Sequence, residues 1–82
     1  MNKQDIFAMV VRHSCEVIPE LEGHTFRPDE NLSDLGANSL DRAEILMMSM
    51  ESLSLHIPRV ELFGAKTIGE LVDLLYGKTQ TV

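Results

Sequence analysis

The stretch Leu35-Gly36-Ala37-Asn38-Ser39-Leu40-Asp41 constrains this chain more than any other, because a glycine turn there hands a serine to the start of a long helical pattern. From Leu40 to Leu53 apolar side chains recur at helical spacing. A helix that begins here opens with backbone N–H groups lacking intrahelical acceptors and with the positive end of its dipole. Such a terminus seats a phosphate. Ser39 therefore stands where a phosphodiester can be attached and its charge accommodated, although a serine at this place also suits an ordinary helix N-cap.

The flanking sequence supplies helices to hold that turn. Between Asp5 and Ile18, Ile6, Phe7, Met9, Val10, Val11, Cys15, Val17 and Ile18 describe a wide apolar stripe, and Pro19 opposes its continuation. From Glu20 to Asp34 no period persists. Gly23, Pro28, Asp29, Asn31 and Ser33 mark a long connection with room for one short helical turn. A loop of such length is expected to be functional or pinned, and Leu21, Phe26, Leu32 and Leu35 are the expected pins.

The second helix is expected over Ser39 to Leu53. Leu40, Ala43, Met47 and Met50 fall on one stripe, Ile45, Leu46 and Leu53 widen it, and Asp41, Glu44 and Glu51 are set among them. That is more apolar surface than one core contact requires. A second face, part acidic and part methionine, is expected to meet a partner; the alternative is that Met47, Met48 and Met50 fill a small core beside a solvated acidic face.

Beyond it, Ser54-Leu55-His56-Ile57-Pro58 reads as extended, and Val60 to Phe63 as one short helix stopped by Gly64. Thr67-Ile68-Gly69-Glu70 is a capping-box pattern, opening a last helix to about Leu75 with Ile68, Leu71, Val72, Leu74 and Leu75 inward. Gly77 to Val82 is a polar tail expected to fray. The expected fold is all-α: a small up-down bundle of three main helices plus one short helix. It forms a single domain over residues 1–82, ordered over about 3–76 with a polar tail at 77–82, and with a radius of gyration of about 12 Å when compact.

Charge narrows the partners. The chain of 82 residues carries a formal charge of −6, and its seven basic residues are scattered. Nucleic acid and anionic membrane are disfavoured, since both bind through clustered Lys and Arg. Basic protein surfaces fit better. Met1 to Asp5 lack the basic start of a signal peptide, no apolar run approaches a membrane span, and Cys15 has no disulfide partner. A cytoplasmic monomer is expected.

Catalysis by Ser39 itself would need an adjacent base oriented by a third group. His13, His24 and His56 lie in contexts that nominate none, and the second glycine of a nucleophile elbow is missing. Cys15 reads as a small core hydrophobe, and the histidines make no metal motif.

Taken with Glu44, Glu51 and Ile57-Pro58, the stretch around Asn38-Ser39-Leu40 resembles the modification site of acyl carrier proteins, from Ile6 to about Leu75. That family usually has Asp-Ser-Leu; here Asn38 keeps capping ability and loses a charge. The resemblance implies an acyl-carrier-protein-like bundle that is not an enzyme. A phosphopantetheinyl transferase would place 4'-phosphopantetheine from coenzyme A on Ser39, and the arm's thiol would carry acyl groups as thioesters. Leu40, Asp41, Glu44, Met47, Met50 and Glu51 match positions that contact partners in the family, with Asn38 lacking the charge that helps engage the transferase, so that weaker or more selective modification is expected, and Arg42 interrupting the acidic face so as to narrow the choice of partner.

The chain is most similar to free-standing carriers of trans-acyltransferase polyketide antibiotic pathways, such as that of bacillaene. That likeness implies a malonyl cargo loaded by a malonyl transferase and decarboxylated to acetyl by a ketosynthase-like enzyme. Delivery to a hydroxymethylglutaryl-synthase-like enzyme in a β-branching cassette would follow. The chain lacks tryptophan, which family members accepting the branch often carry, so the donor role is favoured. A peptidyl carrier, a fatty-acid carrier and an unmodified helical adaptor are the alternatives.

Overall fold

In the computed structural model, which describes residues 1–62 and 64–80, three α-helices and two 3-10 turns follow one another: α1 (Lys3–Val17), a turn at Pro19–Leu21, α2 (Ser39–Ser52), a turn at Arg59–Leu62, and α3 (Ile68–Gln80). No strand occurs among the described residues. The all-α expectation holds, and the radius of gyration is 11.6 Å. The short helix expected at Val60–Phe63 is the second 3-10 turn; Phe63 itself lies outside the described residues, as do Thr81 and Val82.

α1 starts two residues before Asp5 because Asn2 caps it. The Asn2 side chain accepts from the Asp5 backbone N–H at 2.8 Å, and the Asp5 carboxylate accepts from the Asn2 backbone N–H at 3.4 Å. Ile6, Met9, Val10, His13 and Ser14 are buried, which is the i, i+3, i+4, i+7, i+8 spacing of a core-facing stripe. This face packs against both α2 and α3. His13 crosses to α2, its Nε2 lying 2.9 Å from Ser52 Oγ.

Two serines are fully buried in the α1–α2 contact. Ser14 Oγ donates to Val10 O and Ser49 Oγ to Ile45 O, each at 2.8 Å. Each hydroxyl is satisfied within its own helix, so neither serine is stranded in the core, whereas Nδ1 of the buried His13 has no hydrogen-bond partner among the described residues.

The long connection is pinned at the expected places: Leu21 and Leu32 are buried, and Phe26 and Leu35 pack half-buried on the core. It is also fastened by its backbone. Glu30 O accepts from Ile68 N at 2.8 Å and Pro28 O from Gly69 N at 2.9 Å, satisfying two of the donors that a helix N-terminus leaves free. The approach is close: a Cβ on Gly69 would lie 3.0 Å from both Pro28 Cβ and Pro28 O. Only half of the expected capping box forms here. Thr67 Oγ1 accepts from Glu70 N at 3.1 Å, while the Glu70 carboxylate accepts from Lys66 N at 3.2 Å.

Sequence periodicity ends the last helix near Leu75, but α3 continues through Gly77 to Gln80. Polar contacts sustain the extra turn. Lys78 pairs with Glu61 of the second 3-10 turn, and Thr79 Oγ1 donates back to Tyr76 O at 2.7 Å. At the other side, Lys3 of α1 pairs with Asp73 at 3.1 Å and lies over the Tyr76 ring.

Candidate functional site

The turn before α2 is built by three backbone bonds. Leu35 N and Ala37 N donate to Leu32 O, and Gly36 N donates to Ser33 O. Gly36 has φ +104°, a left-handed conformation that costs glycine little and other residues more. Ala37 is buried, so the chain emerges into solvent at Asn38.

Asn38, and not Ser39, caps α2. Its Oδ1 accepts from Asp41 N at 2.8 Å, and Asp41 Oδ2 accepts from Asn38 N at 3.3 Å, a complete capping box. The alternative that Ser39 serves as the ordinary N-cap of α2 is thereby set aside. The signal was present in the spacing Asn38-Ser39-Leu40-Asp41. Ser39 occupies the first helical position, its side chain exposed and free of any capping duty. Among the described residues, the hydrogen bond that reaches Ser39 Oγ comes from Arg42 Nη2, at 3.3 Å.

Beside Ser39 lies a cleft of about 710 Å³. One wall is the α2 face made by Ser39, Arg42, Ala43 and Leu46; the others are Asn31 to Asp34 and, further on, Leu62, Ala65 to Ile68 and Leu71. Its floor is apolar, with Leu32, Leu46, Leu62, Ile68 and Leu71, and its rim carries Arg42 and Lys66. The fastening of the loop to α3 holds two of these walls together.

The outer side of α2 is separate. Leu40, Glu44, Met47 and Glu51, spaced i, i+4, i+7, i+11, share one helix face and are exposed, Leu40 at 81% and Met47 at 48%. Met50 does not join them. Expected on a partner-facing stripe, it is 8% exposed and belongs to the core with Ile45, Leu46 and Ser49. The phase of the stripe is set by the packing on α1, which a serine at position 49 disguises in the sequence. Met50 contributes only to a shallow groove of about 460 Å³ with Met47, Glu51, Ser54, Leu55 and His56.

None of the three histidines lines the cleft beside Ser39. His13 is buried against Ser52, His24 is engaged with Glu30, and His56 is exposed in the second groove. Cys15 is half-buried, and burial, followed by the nearby Glu22 charge, raises its thiol pKa. Among the described residues no group of His, Cys, Asp and Glu is arranged to hold a metal ion, and no helix is long and apolar enough to cross a membrane.

The described residues thus form a helical bundle that presents an exposed serine at a helix start, with a cation and an apolar cleft beside it. The family model of the phosphopantetheine attachment site matches residues 10–75. The chain belongs to that family, the acyl carrier proteins, and the group such carriers bear is covalently attached 4'-phosphopantetheine.

Relatives agree along nearly the whole length. The polyketide biosynthesis acyl-carrier-protein AcpK of Bacillus subtilis (strain 168) is 56% identical over 99% of both chains. An acyl carrier protein of Prochlorococcus marinus (strain MIT 9515) is 30% identical over 95% of this chain and 98% of its own. The fold matches a chain of the crystal structure of the curacin biosynthetic pathway HMG synthase in complex with acetyl donor-ACP. That match has a TM-score of 0.92 and 49% identity, covering 95% of this chain and all of the other.

Proposed function

We propose that Ser39 is the attachment point of the phosphopantetheine arm, and that this carrier serves polyketide biosynthesis as an acetyl donor. The observation that carries the first part is the exposed hydroxyl at the start of α2, released from capping by Asn38. The phosphate fits there: Arg42 already donates to Ser39 Oγ, at the end of the helix whose dipole favours an anion. The arm supplies the thiol on which acyl groups ride as thioesters. This chain's own residues hold the arm's base, offer an apolar cleft beside it and present a docking face.

The donor reading rests on the likeness to AcpK and to a chain in the HMG synthase complex. In this role a malonyl transferase loads the arm. A ketosynthase-like enzyme then removes carbon dioxide, a proton replacing it to leave acetyl, and an HMG-synthase-like enzyme takes the product in the cytoplasm. Leu40, Glu44, Met47 and Glu51 supply the face these enzymes meet, with Asn38 and Asp41 at its upper edge. Short-lived visits to several enzymes suit a monomer with an acidic, steering surface.

Intact mass after incubation with coenzyme A, magnesium and a broad-specificity phosphopantetheinyl transferase tests the site. Wild type is expected to gain one phosphopantetheinyl group and Ser39→Ala none. Equal behaviour of the two sinks the Ser39 assignment. The modified protein, loaded with malonyl, is then expected to become acetyl-loaded with a decarboxylating ketosynthase-like enzyme and to be unloaded by an HMG-synthase-like enzyme; loading by an adenylation domain with an amino acid would instead show a peptidyl carrier.

A further inference from the structure

Arg42 interrupts the acidic character of α2, and its position says why. It follows Ser39 by three residues, so the two are neighbours on the helix surface, and it lines the cleft rather than the face of Leu40, Glu44, Met47 and Glu51. The side chain is half-buried. Lys3, Arg12, Arg27 and Lys78 each pair with a carboxylate, on Asp73, Glu16, Asp29 and Glu61 respectively. Arg42 makes no ion pair among the described residues, although Asp41 adjoins it and Glu44 lies two residues on; its guanidinium is turned to the Ser39 hydroxyl.

A guanidinium offers five N–H donors in a rigid fork suited to phosphate oxygens. A single neutral hydroxyl leaves most of that capacity unused. We infer that Arg42 is the internal counter-ion of the phosphodiester on Ser39, a positioning residue that holds the base of the arm on the cleft side of α2. This rests on the Ser39 assignment above. The contact is a charge-assisted hydrogen bond, reinforced by the helix N-terminus. It also removes Arg42 from the surface that visiting enzymes read, which leaves their face uniformly acidic and apolar.

The test uses the full chain in its apo and modified forms, with wild type, Arg42→Gln, Arg42→Lys and Lys66→Gln checked by intact mass. In wild type, the Arg42 guanidinium proton and nitrogen signals are expected to shift when the arm is added. The phosphorus resonance of Arg42→Gln is expected to move toward that of a phosphopantetheine-bearing peptide, Arg42→Lys to lie between, and Lys66→Gln to match wild type. High salt should move the wild-type resonance in the same direction as Arg42→Gln. A phosphorus resonance identical in wild type and Arg42→Gln, or Arg42 signals unmoved by modification, overturns the inference. The apo-to-modified comparison in wild type decides even where a variant resists the transferase. Failure of wild type to gain the arm brings down the carrier site as well, whereas a modified wild type with unmoved signals brings down the Arg42 role alone.

Discussion

Asn38 and Asp41 hold one another across the first turn of α2, each side chain accepting the other's backbone N–H, at 2.8 and 3.3 Å. The exchange satisfies two N-terminal donors. It explains how asparagine serves where the family usually has aspartate: the cap needs a side-chain oxygen, which both supply. Asn38→Asp is expected to keep stability within a few tenths of a kcal/mol, and Asn38→Ala to lose about 1 kcal/mol, read by chemical denaturation. Transferase rates on Asn38→Asp would then report the effect of charge alone.

Two helical glycines on α3 should respond with opposite signs. Alanine is ordinarily better than glycine in a helix by about 1 kcal/mol, and around Gly77 there is open space for a Cβ. Gly77→Ala is expected to stabilise by about 0.5–1 kcal/mol. Gly69→Ala meets Pro28 at 3.0 Å and is expected to destabilise by about 1–3 kcal/mol through displacement of the loop. Denaturant midpoints of the two variants provide the check, and a stabilised Gly69→Ala would refute the close docking.

Acid should loosen the same loop. The Glu30 carboxylate accepts from Arg27 N at 2.7 Å and lies 3.0 Å from His24 Nε2. The Arg27 amide first, and His24 after it, hold its pKa below the ordinary glutamate value against the opposing push of burial. A carboxylate lowered on folding contributes stability that is complete above its unfolded value, about 4.3. That contribution is lost as pH falls through the lower folded value. Glu30→Gln is expected to flatten the stability curve in that window, and amide exchange at Ile68 and Gly69 should show where the loosening occurs.

Cys15 and the arm present two thiols in the modified protein. The raised pKa of Cys15 means less thiolate at neutral pH. Alkylation is expected to label the arm well before Cys15, followed by mass spectrometry of the modified and apo forms. Comparable rates at the two thiols would contradict the half-buried placement.

The outer face of α2 can be separated from its core by paired truncations. Met50→Ala is expected to cost about 2–5 kcal/mol of stability, while Leu40→Ala should change stability by no more than about 0.5 kcal/mol. Leu40→Ala and Met47→Ala should instead slow acyl transfer with a visiting enzyme. Unaltered transfer kinetics in both would exclude this face from docking.

Much of this was legible in residue spacing. Helix α1 follows from its stripe and from Pro19, and the turn that opens α2 from the seven residues Leu35 to Asp41. Where the reading failed, side chains had been judged by polarity. Ser49 sits in the core because its hydroxyl bonds within its own helix, which shifted the expected stripe toward Met50. The last turn of α3 has the polar pattern of a fraying tail, yet Lys78 finds Glu61 from the preceding turn. The carbonyls of Pro28 and Glu30 that fasten the loop to α3 carry no side-chain signature at all. The Arg42 to Ser39 bond was implicit in the i, i+3 spacing but not in the residue types.

Both the 710 Å³ cleft and the second groove are lined only by residues from Asn31 onward, and α1 contributes to neither. The first helix is a buttress whose outward side, with Ala8, Arg12 and Glu16 exposed, borders neither hollow. That side is a natural handle: a fluorophore or a tether to a solid support placed there would let the carrier be watched, or held still, while the cleft and the outer face of α2 stay open to visiting enzymes.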